Sequence, residues 1–118
     1  MVFTTSIVLL EVSDLPRARA FYVDLLDLLP GPGDDPSQLR VSTPDIMITL
    51  QACRASAPAP RPPAPNLSIG FAVDDLAGAT ARLAAYGVPL RLAEDEQCRY
   101  AHFQDPDGTP LYFVEPKP

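Results

Sequence analysis

The chain is poor in the residues that usually announce metal, redox or nucleic-acid chemistry. Its 118 residues include one histidine, His102, and two cysteines, Cys53 and Cys98. The cysteines show neither a CxxC spacing nor a neighbouring histidine run, which speaks against a thiolate metal site and leaves two free thiols. Nine Lys and Arg face 15 Asp and Glu, for a net charge of −6, and the basic residues form no cluster. Binding a phosphate backbone needs a basic face, so no nucleic-acid partner is expected. The acidic balance serves solubility and, beyond that, suits cationic or neutral ligands. No apolar run approaches the ~18 residues of a membrane span. No basic-then-apolar leader precedes Phe3. The expectation is a cytoplasmic protein with no membrane segment.

What is present is enough for an ordinary core. With 47% hydrophobic and 20% charged residues, the chain fits one globular domain. A domain of this size buries roughly two-thirds of its unfolded surface, so no disulfide or metal staple is needed.

The chain repeats itself. Val12-Ser13-Asp14-Leu15 recurs, 61 positions later, as Val73-Asp74-Asp75-Leu76. Each copy follows an apolar run and opens a stretch of helical periodicity. Thr4–Val12 reads as a strand. Asp14 is a plausible N-cap with Pro16 in the first turn, and Leu15, Ala18, Phe21, Leu25 and Leu28 or Leu29 mark one helix face. Pro30-Gly31-Pro32-Gly33 ends that helix. Strands at Gln38–Thr43 and Asp45–Ala52 follow, joined at Thr43-Pro44-Asp45, with a short strand also possible before Gln38. In the second half, Leu67–Val73 is a strand and Asp74 or Asp75 caps a helix over Leu76–Tyr86. Gly87 ends it in a left-handed cap. Strands at Val88–Ala93, Arg99–Gln104 and Leu111–Glu115 complete the half, with the Asp105-Pro106-Asp107-Gly108 turn between the last two. The fold class is therefore α+β: two tandem βαβββ modules forming a curved mixed sheet around a cavity. One domain spans 1–118, with module one at 1–54, a proline-rich linker at 55–65 and module two at 66–118.

Strand alternation sorts the side chains. Ile7, Leu9 and Glu11 share the face away from the helix in the first strand. Met47, Thr49 and Gln51 share one face of theirs. Ser68, Gly70 and Ala72 form a third set, Tyr100, His102 and Gln104 a fourth, and Tyr112 with Val114 a fifth. Glu11 is expected to be exposed at a rim or paired, with Arg40 or Arg91 as partner. Glu94-Asp95-Glu96 reads as a solvated acidic loop.

The stretch Val12-Ser13-Asp14-Leu15-Pro16-Arg17-Ala18-Arg19-Ala20-Phe21-Tyr22 resembles the first helix entry of the vicinal oxygen chelate superfamily. That group includes glyoxalase I, extradiol dioxygenases, fosfomycin-resistance enzymes and bleomycin-resistance proteins. Asp105-Pro106-Asp107-Gly108 resembles the turn before its last strand. One departure lies at Asp27-Leu28, where the family usually has Gly after the Leu, so the helix end is expected to differ locally. In metal-dependent members, ligands stand seven residues before the first-repeat Asp, six before the first Asp of the second repeat and seven after the first Asp of the turn. Here those positions hold Ile7, Ser68 and Tyr112, and Thr49 or a neighbour falls where a fourth ligand lies. A divalent ion needs three or four converging imidazole or carboxylate donors. The resemblance therefore implies the scaffold without its usual metal site.

The expectation is a metal-free small-molecule-binding protein, of the antibiotic-sequestering, bleomycin-resistance-like kind, with no cofactor, no catalytic residue assigned and a small organic ligand as partner. Its ligand-binding residues would be Ile7, Leu9, Glu11, Met47, Thr49, Gln51, Ser68, Tyr100, His102 and Tyr112. The alternatives are a metal-independent lyase, isomerase or biosynthetic enzyme using His102, Tyr100 and Tyr112, or a glyoxalase- or dioxygenase-like enzyme with relocated ligands such as His102, Glu11 or Glu115. The resemblance also implies a homodimer.

Overall fold

The computed structural model describes residues 1–33, 35–53 and 67–118. Its contacts divide the chain into two compact units, Met1–Arg61 and Pro62–Pro118, called modules one and two below. The linker expected over 55–65 lies outside the described residues.

Module one begins with β1 (Ile7–Val12). Its apolar residues alternate between a buried row, Leu10 and Val12, and an exposed row, Ile7 and Leu9. Asp14 then caps α1 (Leu15–Arg19). Its backbone is extended, at φ −144° and ψ 102°, and its Oδ1 accepts the Arg17 N–H at 3.1 Å. The expected single α-helix does not continue to Leu28. From Ala20 to Leu25 the chain winds as a π-helix. The Leu26 N–H donates to the Phe21 carbonyl and the Leu28 N–H to that of Tyr22, both at 3.0 Å. A π turn takes an extra residue. It accompanies the burial of two sequence neighbours, Phe21 and Tyr22, which pack edge to face at 5.2 Å. Asp27 closes the turn with φ 60°. The family's glycine-like conformation is thus adopted by an aspartate.

β2 (Leu29–Pro30), β3 (Gln38–Ser42) and β4 (Met47–Ala52) complete the module. The strand order is β1-β4-β3-β2. β1 and β4 are parallel, and the other pairs are antiparallel. Pro30 lacks a backbone donor and stands on the edge strand, where a ladder tolerates it. Val41, Ile48 and Leu50 meet Leu10, Val12, Ala18, Phe21, Tyr22 and Leu25 in the core.

Module two repeats the plan with β5 (Ile69–Ala72), α2 (Leu76–Ala85), β6 (Arg91–Glu94), β7 (Cys98–Gln104) and β8 (Pro110–Pro116). Its order is β5-β8-β7-β6, again with the first and last strands of the module parallel. Asp75, rather than Asp74, caps α2, its Oδ1 accepting the Gly78 N–H at 3.0 Å. Glu115 on β8 adds a second carboxylate, accepting the Leu76 N–H at 2.6 Å. Two otherwise orphaned donors of the first turn are thereby satisfied. At the other end Gly87 takes φ 77°. The Val88 N–H donates to the Leu83 carbonyl at 3.0 Å and the Gly87 N–H to that of Ala84 at 2.9 Å. This is the paired-bond Schellman closure. It explains why the strand expected from Val88 begins only at Arg91: the Val88 donor belongs to the helix end, and Pro89 has none. Leu76 and Leu83 pack with Ala101, Phe103, Leu111 and Phe113.

Candidate functional site

Each module places its helix on one side of its sheet, and the expected site residues fall on the other. In module one the ladder aligns them in rows. Ile7 is in register with Met47, which is in register with Ser42. Leu9 aligns with Thr49 and Arg40, and Glu11 with Gln51 and Gln38. Six of the ten expected residues therefore share one face. Ile7 is 62% exposed and Leu9 63%, and Met47, Thr49 and Gln51 are half-buried. Glu11 stands exposed at the end of β1, the rim position anticipated for it. The Gln51 amide donates to the Ser37 carbonyl at 3.2 Å, which orients it across the sheet end.

Module two carries a different surface. Gly70, Tyr112, His102 and Arg91 form one cross-strand row. Ala72, Val114, Tyr100 and Ala93 form the next. Three rings meet there. His102 and Tyr112 have centroids 5.7 Å apart, Tyr100 and His102 6.1 Å, and Tyr100 and Tyr112 6.2 Å. These are ordinary aromatic contact distances. Gly70 is required: a Cβ there would overlap the Tyr112 ring. A ring lying over a glycine on an edge strand shields backbone that has no side chain of its own. Ser68, expected to join this group, precedes β5 and lies exposed outside the ladder.

The acidic loop has more structure than the expected solvated segment. Asp95 Oδ1 accepts the N–H groups of Gln97 and Cys98 at 2.8 and 2.7 Å, and Oδ2 accepts the Tyr100 hydroxyl at 2.9 Å. These bonds hold the Asp95 carboxyl below its usual range. The same hydroxyl bond pushes the Tyr100 phenol up to about 12. A phenol that donates to a carboxylate and resists ionisation is a poor proton donor to a substrate near neutral pH. Glu94 pairs with Lys117 at 3.0 Å. His102 is held below its ordinary 6.5, first by partial burial and then by the nearby Arg91 charge. It therefore stands neutral at pH 7.

The superfamily's divalent ion does not fit these residues. Ile7 is paired with Met47, so aliphatic and thioether groups stand where an imidazole would. Tyr112 supplies one phenol and Ser68 one hydroxyl. Among the described residues no group of three or more His, Cys, Asp and Glu is placed to hold a metal. Glu115, considered for a relocated set, is engaged at the α2 N-terminus.

Asp95 and Gly70 are the two residues of this site that sequence reasoning did not assign a role. An Asp opening a β6–β7 turn is a recognisable Asx-turn signal. Nothing local in the sequence says that its second oxygen reaches a tyrosine five residues on. A cleft of about 330 Å³ also lies by β6, lined by Leu76, Leu92, Ala93, Glu94, Arg99 and Tyr100. Of the expected residues it includes Tyr100 alone. No described helix is long and apolar enough to cross a membrane.

Solved structures match this fold over nearly its whole length. SMU.1112c superposes with a TM-score of 0.80 at 25% identity, covering 98% of this chain and 100% of its own. TnmS3, an antibiotic binding protein from Streptomyces sp. CB03234, gives 0.77 at 23% identity, with 98% of each chain covered. The oxidase ChaP-H2 gives 0.79 at 20% identity, covering 100% of this chain and 96% of its own. A binder and an oxidase share the scaffold, so the scaffold does not choose between those activities. No protein of curated function matches the chain. The family model for the glyoxalase/bleomycin resistance protein/dioxygenase superfamily matches residues 5–113. With the duplicated strand–helix entry and the DPDG turn inside that span, the chain belongs to this superfamily.

Proposed function

We propose that the protein is a cytoplasmic, metal-free small-molecule-binding protein that holds an organic ligand on the helix-free face of a sheet, in the manner of antibiotic-sequestering members. The observation that carries this reading is the identity of the residues at the family's ligand positions: Ile7, Ser68 and Tyr112 supply one aliphatic group, one hydroxyl and one phenol. The half-buried mixture of apolar, amide and aromatic groups on the two faces supports binding of this kind. The engagement of the Tyr100 hydroxyl by Asp95 supports binding over proton transfer, because it leaves Tyr112 as the one phenol beside His102 that does not already donate to a carboxylate. Cys53 and Cys98 form no disulfide, which suits a reducing compartment.

The test is a thermal-shift screen across antibiotics and metabolites, with metal analysis of protein purified without chelator. A ligand that binds only the folded state raises the melting temperature in proportion to the logarithm of its concentration. A stoichiometric divalent ion held by side chains would overturn the reading. We also propose a homodimer. Edge strand β1 exposes Ile7 and Leu9, a combination that soluble proteins usually cover. Light scattering at micromolar concentration checks it, and a monomer refutes it.

A further inference from the structure

We infer that module two selects a planar aromatic ligand carrying a negative charge, with the ring system on the Tyr100–His102–Tyr112 platform and the anion at Arg91. The inference rests on the binding reading above and names the ligand class for it.

The platform comes first. Three rings with centroids 5.7 to 6.2 Å apart cover adjoining positions of β7 and β8. Tyr100 is anchored by Asp95 at 2.9 Å, and Tyr112 has its place over Gly70, where no side chain competes. Two of the rings are therefore held in position before a ligand arrives, which reduces the ordering cost of binding. All three are only half-buried. The Tyr112 ring itself fills the space over Gly70, and the row neighbour of Tyr100 on β6 is the small Ala93, which leaves room beside the rings for a flat molecule.

Charge comes second. The whole chain is acidic, at −6, yet this face is not. Alternation and register put Gly70 and Ala72 of β5, alternate residues of β7 and β8, and Arg91 and Ala93 of β6 on it. Among these strand residues Arg91 carries the one formal charge, and it is exposed. Of the nearby carboxylates, Glu94 is paired with Lys117 and Glu115 is engaged at α2, while Asp95, in the turn after β6 and four residues beyond Arg91, has its oxygens taken by the Gln97 and Cys98 N–H groups and the Tyr100 hydroxyl. A guanidinium beside a neutral aromatic surface accepts a carboxylate or phenolate and repels an ammonium.

The experiment uses the full chain and four probes of one bicyclic size: 2-naphthoate, 2-naphthalenemethanol, 2-naphthylmethylammonium and decalin-2-carboxylate. Calorimetric titration should show 2-naphthoate binding roughly tenfold or more tightly than both the ammonium and the saturated carboxylate, the ratio that one aromatic contact or one charge contact supplies. R91Q should remove the preference for the anion and keep that for the ring. Y112L should do the reverse, with its folded state checked by circular dichroism; R91Q, at an exposed site, keeps the test alive if Y112L does not fold. Equal binding of decalin-2-carboxylate and 2-naphthoate, or tighter binding of the ammonium, overturns the inference. So does failure of all four probes. If the broad thermal-shift screen then still finds other ligands, the binding reading survives while this ligand class falls; if it finds none, both fall.

Discussion

Modules one and two have the same strand order and the same parallel closure, but they reach it with different local chemistry. The hairpin joining β7 to β8 is organised by a buried carboxylate, with Asp105 Oδ1 accepting the Asp107 and Thr109 N–H groups at 2.9 and 2.8 Å. The corresponding hairpin from β3 to β4 relies on a hydroxyl, with Thr43 Oγ1 accepting the Asp45 and Ile46 N–H groups at 3.3 Å. The helix of module one ends through a π turn and a left-handed Asp27, and that of module two through a left-handed Gly87. Both helix-free faces carry an exposed guanidinium, Arg40 on one and Arg91 on the other; the first is otherwise aliphatic and amide-bearing, the second aromatic. Apolar patterning is enough to fix topology, and capping, turn and surface chemistry can then diverge under it.

The widest difference should appear at the hairpins. Asp105→Ala leaves two N–H groups without their acceptor in a buried turn and should cost about 2 kcal/mol. Thr43→Ala should cost about 0.5 kcal/mol, because its bonds are longer and partly exposed. Urea unfolding measures both, and equal losses would break the comparison. The helix ends come next. Gly87→Ala forces a β-carbon into left-handed backbone and should destabilise by about 1 kcal/mol. Asp27→Gly relieves the same conformation and should stabilise by about 0.5 kcal/mol, since the gain is offset by the freedom of glycine in the unfolded chain. If Asp27→Gly destabilises instead, the aspartate side chain has a role of its own at that helix end.

The smallest effects lie in titration, where the module-two face has an ionisable imidazole and phenols. His102 is depressed from 6.5 in the folded state. The unfolded chain therefore takes up its proton first on acidification, so the stability linked to His102 is full above about 6.5 and declines as pH falls through that value. His102→Gln should flatten this part of the melting-temperature profile. Tyr100 runs the opposite way. Raised to about 12 from 10.0, it contributes stability that is full below 10 and lost as pH rises through 12. Asp95→Asn should bring one tyrosinate absorbance step back toward 10, and an unchanged alkaline titration would dissolve the link between the loop and the aromatic platform.

Much of this was legible residue by residue. Asp14 was readable as a cap because a carboxylate before Leu-Pro has one obvious use, and Gly87 as a terminator because glycine is the residue without a β-carbon penalty. The face assignments of Ile7, Leu9, Met47, Thr49, Tyr100, His102 and Tyr112 followed from period-two alternation. Ser68 stands outside the strand because the ladder opens only at Ile69, although the apolar pattern begins before it. The π turn at Ala20–Leu25 is not legible, because apolar spacing alone does not distinguish one extra residue per turn. Nor is the role of Asp95, because its partner Tyr100 is brought near by a turn and not by any helical or strand period.

The amino-acid order by itself determined the doubled βαβββ plan and the core rows, since both depend on residue type at a fixed spacing. Tertiary structure alone decided that three rings touch, that Tyr112 lies over Gly70 and that the Tyr100 hydroxyl is engaged by Asp95. Those facts depend on ladder register and on how a loop folds back, and a one-dimensional pattern carries neither.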